Sequence, residues 1–137
     1  MIATEYLENT LKQWNREYKK GFTSYMVLLL LFDKAMYGYE ITTKLSELTN
    51  SKISFQDSGS YQILKNLKSK KFITSENKKS DQGPNRIYYS VTSSGKELIE
   101  RFTYEYIVPI NSALNNSISK HFPDCFNSNV SKGDIDE

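Results

Sequence analysis

A chain of 137 residues, 38% hydrophobic and 25% charged, is long enough for one domain with a real core and too short for two of ordinary size. Lysine and arginine outnumber the acids by 18 to 16, a net charge of +2 that names no partner by itself. The longest apolar run, Met26 to Phe32, falls far short of the roughly eighteen residues of a membrane span, and Glu5 and Glu8 do not suit a signal peptide. One cysteine, Cys125, and one histidine, His121, make neither a disulfide nor a zinc site. The expectation is a cytoplasmic protein with no membrane association, no metal and no cofactor.

Residues 4 to 19 carry Leu7, Leu11, Trp14 and Tyr18 at spacings of one amphipathic stripe, with Thr4 as N-cap. Lys20-Gly21 reads as a helix stop. A second helix then begins near Phe22 and passes through Met26 to Phe32, apolar nearly all round and therefore central to the core. A third starts at or just after Tyr37-Gly38, buries Ile41, Leu45 and Leu48, and ends near Thr49-Asn50. A fourth starts at Asp57 or Ser58 and runs to about Lys71, with Ile63, Leu64 and Leu67 inward. At about 100° per residue that stripe turns Ser58, Gln62, Lys65 and Ser69 outward, with Tyr61 and Asn66 on the flanks.

Phe72 to Ser75 reads as a strand, Asn77 to Asn85 as a polar loop holding the Gly83-Pro84 turn, and Arg86 to Val91 as a strand of period two. Thr92 can cap a long final helix whose apolar positions Leu98, Phe102, Tyr106, Ile110, Leu114 and Ile118 recur every four residues. Pro109 should kink it or split it in two. Beyond Lys120 the polar composition predicts a disordered tail with Phe122 and Phe126 as its large anchors.

Charge is unevenly spread. Between Ser60 and Ser90 stand seven bases (Lys65, Lys68, Lys70, Lys71, Lys78, Lys79, Arg86) and two acids (Glu76, Asp81), on the fourth helix and the hairpin. Three helices, a two-stranded hairpin and a further helix, with the bases on the last of the three and on the hairpin, make the order of a winged helix-turn-helix. In such a module the third core helix enters the major groove and the wing reaches flanking phosphates. The fold class expected is mainly α (α+β), a winged helix-turn-helix with a two-stranded β wing and flanking N- and C-terminal dimerisation helices.

Three segments resemble the PadR-like transcriptional regulators, over about Gly21 to Phe102. They are Tyr37-Gly38-Tyr39-Glu40-Ile41 at the second core helix, Tyr61-x-x-Leu64-x-x-Leu67 in the recognition helix, and Gly83-Pro84-Asn85-Arg86-Ile87-Tyr88-Tyr89-Ser90-Val91-Thr92-x-x-Gly95 through the wing and its exit. The resemblance implies a dimeric regulator, in most members a repressor, and in many one that leaves DNA on binding a small molecule. The chain departs from the family pattern at Ser60, where an apolar residue is usual, at Gln62, where proline is usual, and at Lys71, where glycine commonly ends the helix. Gln62 offers an amide that can pair with adenine.

The expected function is sequence-specific binding of double-stranded DNA at a palindromic operator by a homodimer. DNA contacts are expected from Ser58, Ser60, Tyr61, Gln62, Lys65, Asn66, Lys78, Lys79 and Arg86. The dimer interface is expected from Leu7, Leu11, Trp14, Tyr18, Phe102, Tyr106, Ile110 and Leu114. Their stripes lie outside the compact module and need a partner to bury them. Trp14, Tyr18, Phe102, Tyr104 and Tyr106 could also line a pocket for a small aromatic effector, with plain packing the favoured reading. The corresponding division is a helix at 1–20, the DNA-binding domain at 21–92, a dimerisation helix at 93–119 and the tail at 120–137. No catalytic residues are expected, since the chain carries no phosphate loop, nucleophile motif or paired histidine and carboxylate. The competing reading is a winged-helix module that binds proteins without specific DNA contacts.

Overall fold

In a computed structural model of the chain, which describes residues 2–54, 59–79 and 83–126, the apolar run Met26 to Phe32 lies in the second half of one unbroken helix, α1 (Ile2–Asp33). The stop expected at Lys20-Gly21 is absent. Gly21 has no positive φ and is exposed, so it costs the helix only about 1 kcal/mol relative to alanine. The buried face made by Thr23, Tyr25, Val27, Leu28 and Leu31 outweighs that cost. The Thr23 hydroxyl donates to the Lys19 carbonyl at 2.7 Å across the glycine. Burial is not all round, as the apolar run suggested: Leu29 and Phe32 are exposed, so α1 lies along one side of the core.

A two-residue strand, β1 (Met36–Tyr37), leads into α2 (Gly38–Leu48). The Glu40 carboxylate accepts the Tyr37 N–H at 3.2 Å, satisfying a donor that helix geometry leaves unpaired. Ile41 and Leu45 are fully buried, while Leu48, expected inside, is exposed. Thr49 ties down the residues after α2. Its hydroxyl donates to the Leu45 carbonyl at 2.7 Å and accepts the Ile53 N–H at 3.0 Å.

Helix α3 (Gly59–Ser69) buries Leu64 and Leu67 and ends two residues before the expected Lys71. Asp57 and Ser58 lie outside the described residues, as does the side chain of Ser60. The far end of α3 closes with paired bonds of a Schellman motif: Phe72 N–H to the Leu67 carbonyl at 3.0 Å and Lys71 N–H to the Lys68 carbonyl at 3.0 Å. Lys71 takes the left-handed position, φ 66°, where glycine is favoured because a Cβ there crowds the backbone. Lys71→Gly is therefore expected to raise stability by about 1 kcal/mol, read as a higher midpoint in thermal denaturation.

Strands β2 (Ile73–Lys78) and β3 (Arg86–Val91) pair antiparallel from Ile73 opposite Val91 to Lys78 opposite Arg86. Strand β2 is longer than expected, so Asn77 and Lys78 belong to the ladder and not to the loop. β1 adds on the other side of β3, giving the order β1-β3-β2. Helix α4 (Ser93–Phe102) follows, with the Thr92 hydroxyl accepting the Gly95 N–H at 3.1 Å as the expected N-cap.

The kink expected at Pro109 takes a defined form. A π-helical turn, Thr103–Ile107, joins α4 to α5 (Val108–His121). The Val108 N–H bonds to the Thr103 carbonyl. This wider turn sits where proline lacks a donor and would clash with the Glu105 carbonyl. Arg101 Nε donates to Glu105 Oε2 at 2.9 Å, and that bond holds the Glu105 carboxyl below its usual range. A 3-10 turn, Pro123–Phe126, extends order past Lys120, and Phe122 and Phe126 are exposed where the sequence suggested anchors. Between Ile99 and Glu100 the chain divides into two compact units.

Candidate nucleic-acid interface

With Leu64 and Leu67 committed to the core, the 100° step of α3 leaves Tyr61, Gln62, Lys65, Asn66, Lys68 and Ser69 exposed. Tyr61 is 74% exposed. This face offers an amide pair, hydroxyls and ammonium groups, the donors and acceptors that read base edges and phosphates. The Ser69 hydroxyl donates back to the Asn66 carbonyl at 2.8 Å, which occupies it locally.

The hairpin supplies the second surface. Alternation along β3 directs Ile87, Tyr89 and Val91 to one side of the sheet and Arg86, Tyr88 and Ser90 to the other. Met36 and Ile73, paired with Tyr89 and Val91, are buried on the first side. Burial raises the Tyr89 phenol above its ordinary pKa, and the Tyr61 phenol adds to the shift. On the second side Tyr37 faces Tyr88 in register, with ring centroids 5.5 Å apart. Tyr39 stacks on Tyr37 at 6.4 Å. The Arg86 guanidinium lies over the Tyr37 ring at 4.5 Å, and the Lys78 ammonium over the Tyr88 ring at 4.8 Å.

Among the described residues the expected contacts thus fall on α3 and the hairpin of one unit: Tyr61, Gln62, Lys65 and Asn66 on α3, Lys78 and Arg86 at the facing ends of β2 and β3, and Lys79 just beyond β2, exposed. The sequence reading left out Tyr37 and Tyr88 as partners of the cations. The available signal was the alternation that puts Arg86 and Tyr88 on one side of the hairpin. Lys68 and Lys70, counted as charge but not as contacts, are exposed at the end of α3.

The residues expected at a dimer interface are uncovered in the single chain except Phe102, which is half-buried. Leu7, Leu11, Trp14 and Tyr18 are between 61% and 68% exposed along the first half of α1. Leu11, Trp14 and Tyr18 line an open groove of about 920 Å³ together with Lys12 and Lys52. In the other unit Tyr106, Ile110 and Leu114 are exposed, and the Phe102 and Tyr106 rings lie 5.7 Å apart. Among the described residues there is no group of three potential metal ligands, and no helix is long and apolar enough to cross a membrane.

The arrangement of α2, α3 and wing has close parallels. A family model described as the transcriptional regulator PadR-like family matches residues 27–101, more than half of the chain. The chain belongs to the PadR-like family of transcriptional regulators. The fold is accordingly a winged helix-turn-helix, mostly helical with a small antiparallel sheet. A PadR-like transcriptional regulator from Bacillus cereus is similar at 30% identity and a TM-score of 0.63, over 74% of this chain and 96% of that one. A PadR family regulator from Clostridium difficile gives 29% and 0.58, over 71% and 98%. PadR of Bacillus subtilis, solved in complex with operator DNA, gives 29% and 0.53, over 58% of this chain and 45% of its own. The PadR-like match begins inside α1 and ends inside α4. Leu7, Leu11, Trp14 and Tyr18 precede it, and Tyr106, Ile110 and Leu114 follow it.

Proposed function

We propose that this PadR-like regulator binds double-stranded DNA sequence-specifically, as a homodimer on a palindromic operator, and acts in the cytoplasm as a repressor released by a small aromatic effector. The observation that carries the DNA reading is the pairing of a polar, exposed α3 face with a wing that carries Lys78, Lys79 and Arg86. Bacillus subtilis PadR, a relative with this fold, is bound to operator DNA. Tyr61, Gln62, Lys65 and Asn66 would lie along the major groove, while the wing grips phosphates. The dimer reading rests on the exposed stripes of α1 and α5, which gain most by burial against a second copy. The effector reading rests on the Trp14 and Tyr18 rings beside an open groove, a surface on which flat molecules stack.

The test is a fluorescence-anisotropy titration against the chain's own upstream DNA and a scrambled duplex at two salt concentrations. Specific, salt-sensitive binding is expected. Equal affinity for both duplexes would reduce the interface to an electrostatic grip, and no binding at either salt would favour a protein-interaction module. On a recognised operator, Gln62→Ala should cost about 1 to 3 kcal/mol at one base pair and spare the rest. Equal losses on every sequence would remove Gln62 from base readout.

A further inference from the structure

On the outer side of the wing, two cations rest on two aromatic rings that are themselves in contact. Arg86 and Lys78 are opposite one another in register, and each head leans back along the sheet onto a ring one step inward, Tyr37 for Arg86 and Tyr88 for Lys78. Tyr37 is fixed from three directions: its N–H donates to Glu40, its strand pairs with β3, and its ring stacks on Tyr39. Among the described residues no carboxylate lies within ion-pair distance of Arg86 or Lys78.

A guanidinium that lies over a ring uses its flat face there and keeps its N–H edge for an anion, whereas a carboxylate partner would consume that edge. Holding a long basic side chain in place before binding also removes part of the ordering cost that association otherwise carries. We propose that Tyr37 and Tyr88 are positioning residues for the DNA grip, rings that aim the Arg86 guanidinium and the Lys78 ammonium at backbone phosphates without touching DNA themselves. This assignment rests on the DNA-binding reading above and adds to it a role for the first tyrosine of the Tyr37-Gly38-Tyr39 segment beyond filling space.

The experiment is a double-mutant cycle on the full chain, read as affinity for labelled upstream DNA and for a scrambled duplex, with a thermal melt of each variant. Arg86→Ala should weaken binding to both duplexes and make the salt slope shallower by about one. Tyr37→Leu should weaken both by about 2- to 5-fold, the range of an exposed cation–π contact, while Tyr37→Phe, which keeps the ring, stays within about twofold of wild type on the same scale. In the Arg86→Ala background, Tyr37→Leu should cost nothing more. Should Tyr37→Leu fail to fold, the same cycle on Tyr88→Leu and Lys78→Ala decides the question. No loss on Arg86→Ala would overturn the DNA role of Arg86 and this inference together. A loss on Arg86→Ala with none on Tyr37→Leu, or an equal Tyr37→Leu loss with and without Arg86, would overturn the positioning role alone.

Discussion

Gly95→Ala is expected to lower the stability of the folded chain by about 3 kcal/mol, although alanine is the better helix former. Gly95 lies in the first turn of α4 and is buried. A Cβ added there would overlap the Phe72 carbonyl oxygen and come within 2.7 Å of Val91 Cγ2. Neither neighbour yields easily. The Phe72 carbonyl accepts the Thr92 N–H at 3.0 Å, and the preceding carbonyl, Lys71, accepts the hydroxyls of Thr92 at 2.7 Å and Ser94 at 3.0 Å. These bonds join the end of α3, the exit of β3 and the start of α4, so relief of the overlap must stretch a connection between three elements. Overpacking of this kind costs about 1 to 3 kcal/mol or more. Helix propensity alone would give the opposite sign, a gain of about 1 kcal/mol. Urea unfolding followed by circular dichroism separates the two: a lower midpoint is expected, and a raised one would mean that α4 does not approach Phe72 this closely.

The double variant Lys78→Ala, Lys79→Ala should lose affinity on every duplex and become less sensitive to salt. Both side chains are exposed, Lys78 at the last position of β2 and Lys79 beyond it, where a wing would face the DNA backbone. Each phosphate contact contributes about 0.9 to the slope of log affinity against log salt. Removing two should reduce the loss of affinity between about 50 mM and about 200 mM salt by roughly tenfold. Anisotropy titrations across that range measure it. A slope equal to that of wild type would mean that these lysines are solvated bystanders. The ratio of specific to scrambled affinity should stay constant, because phosphate contacts carry no sequence information.

Where periodicity is long and chemistry is local, the sequence was legible. The start of α2 after Tyr37, the Thr92 cap, the extent of β3 and the inward stripe of α3 all follow from spacings of two, three or four residues and from residue types that satisfy helix ends. Gly21 misled because a local stop signal is weak against a buried face on the following turns. Strand β1 has two residues, too few to display any alternation. Leu48 and Leu29 show the reverse limit: an apolar residue at a helical position fits the pattern of a core without being in it. For the site, the outward residues of α3 and the basic hairpin could be read from the chain. The ring under Arg86 could not, because Tyr37 reaches it only through the β1 pairing, and the ring under Lys78 needed the β2–β3 register in addition to the alternation that puts Tyr88 on the side of Arg86.

The π turn at Thr103–Ile107 changes the phase of the helix that contains it. On an ideal α-helix a residue placed every four positions advances by about 40° per step beyond a full turn. From Phe102 through Tyr106 and Ile110 to Leu114 the stripe would therefore wander by roughly 120° and spiral away from any straight partner. A π turn holds one extra residue and takes back about 100° of that rotation. Pro109, which favours such a widened turn just ahead of it, thereby acts as a phase corrector, and a repeat of four that suits no straight α-helix becomes a single line of apolar side chains.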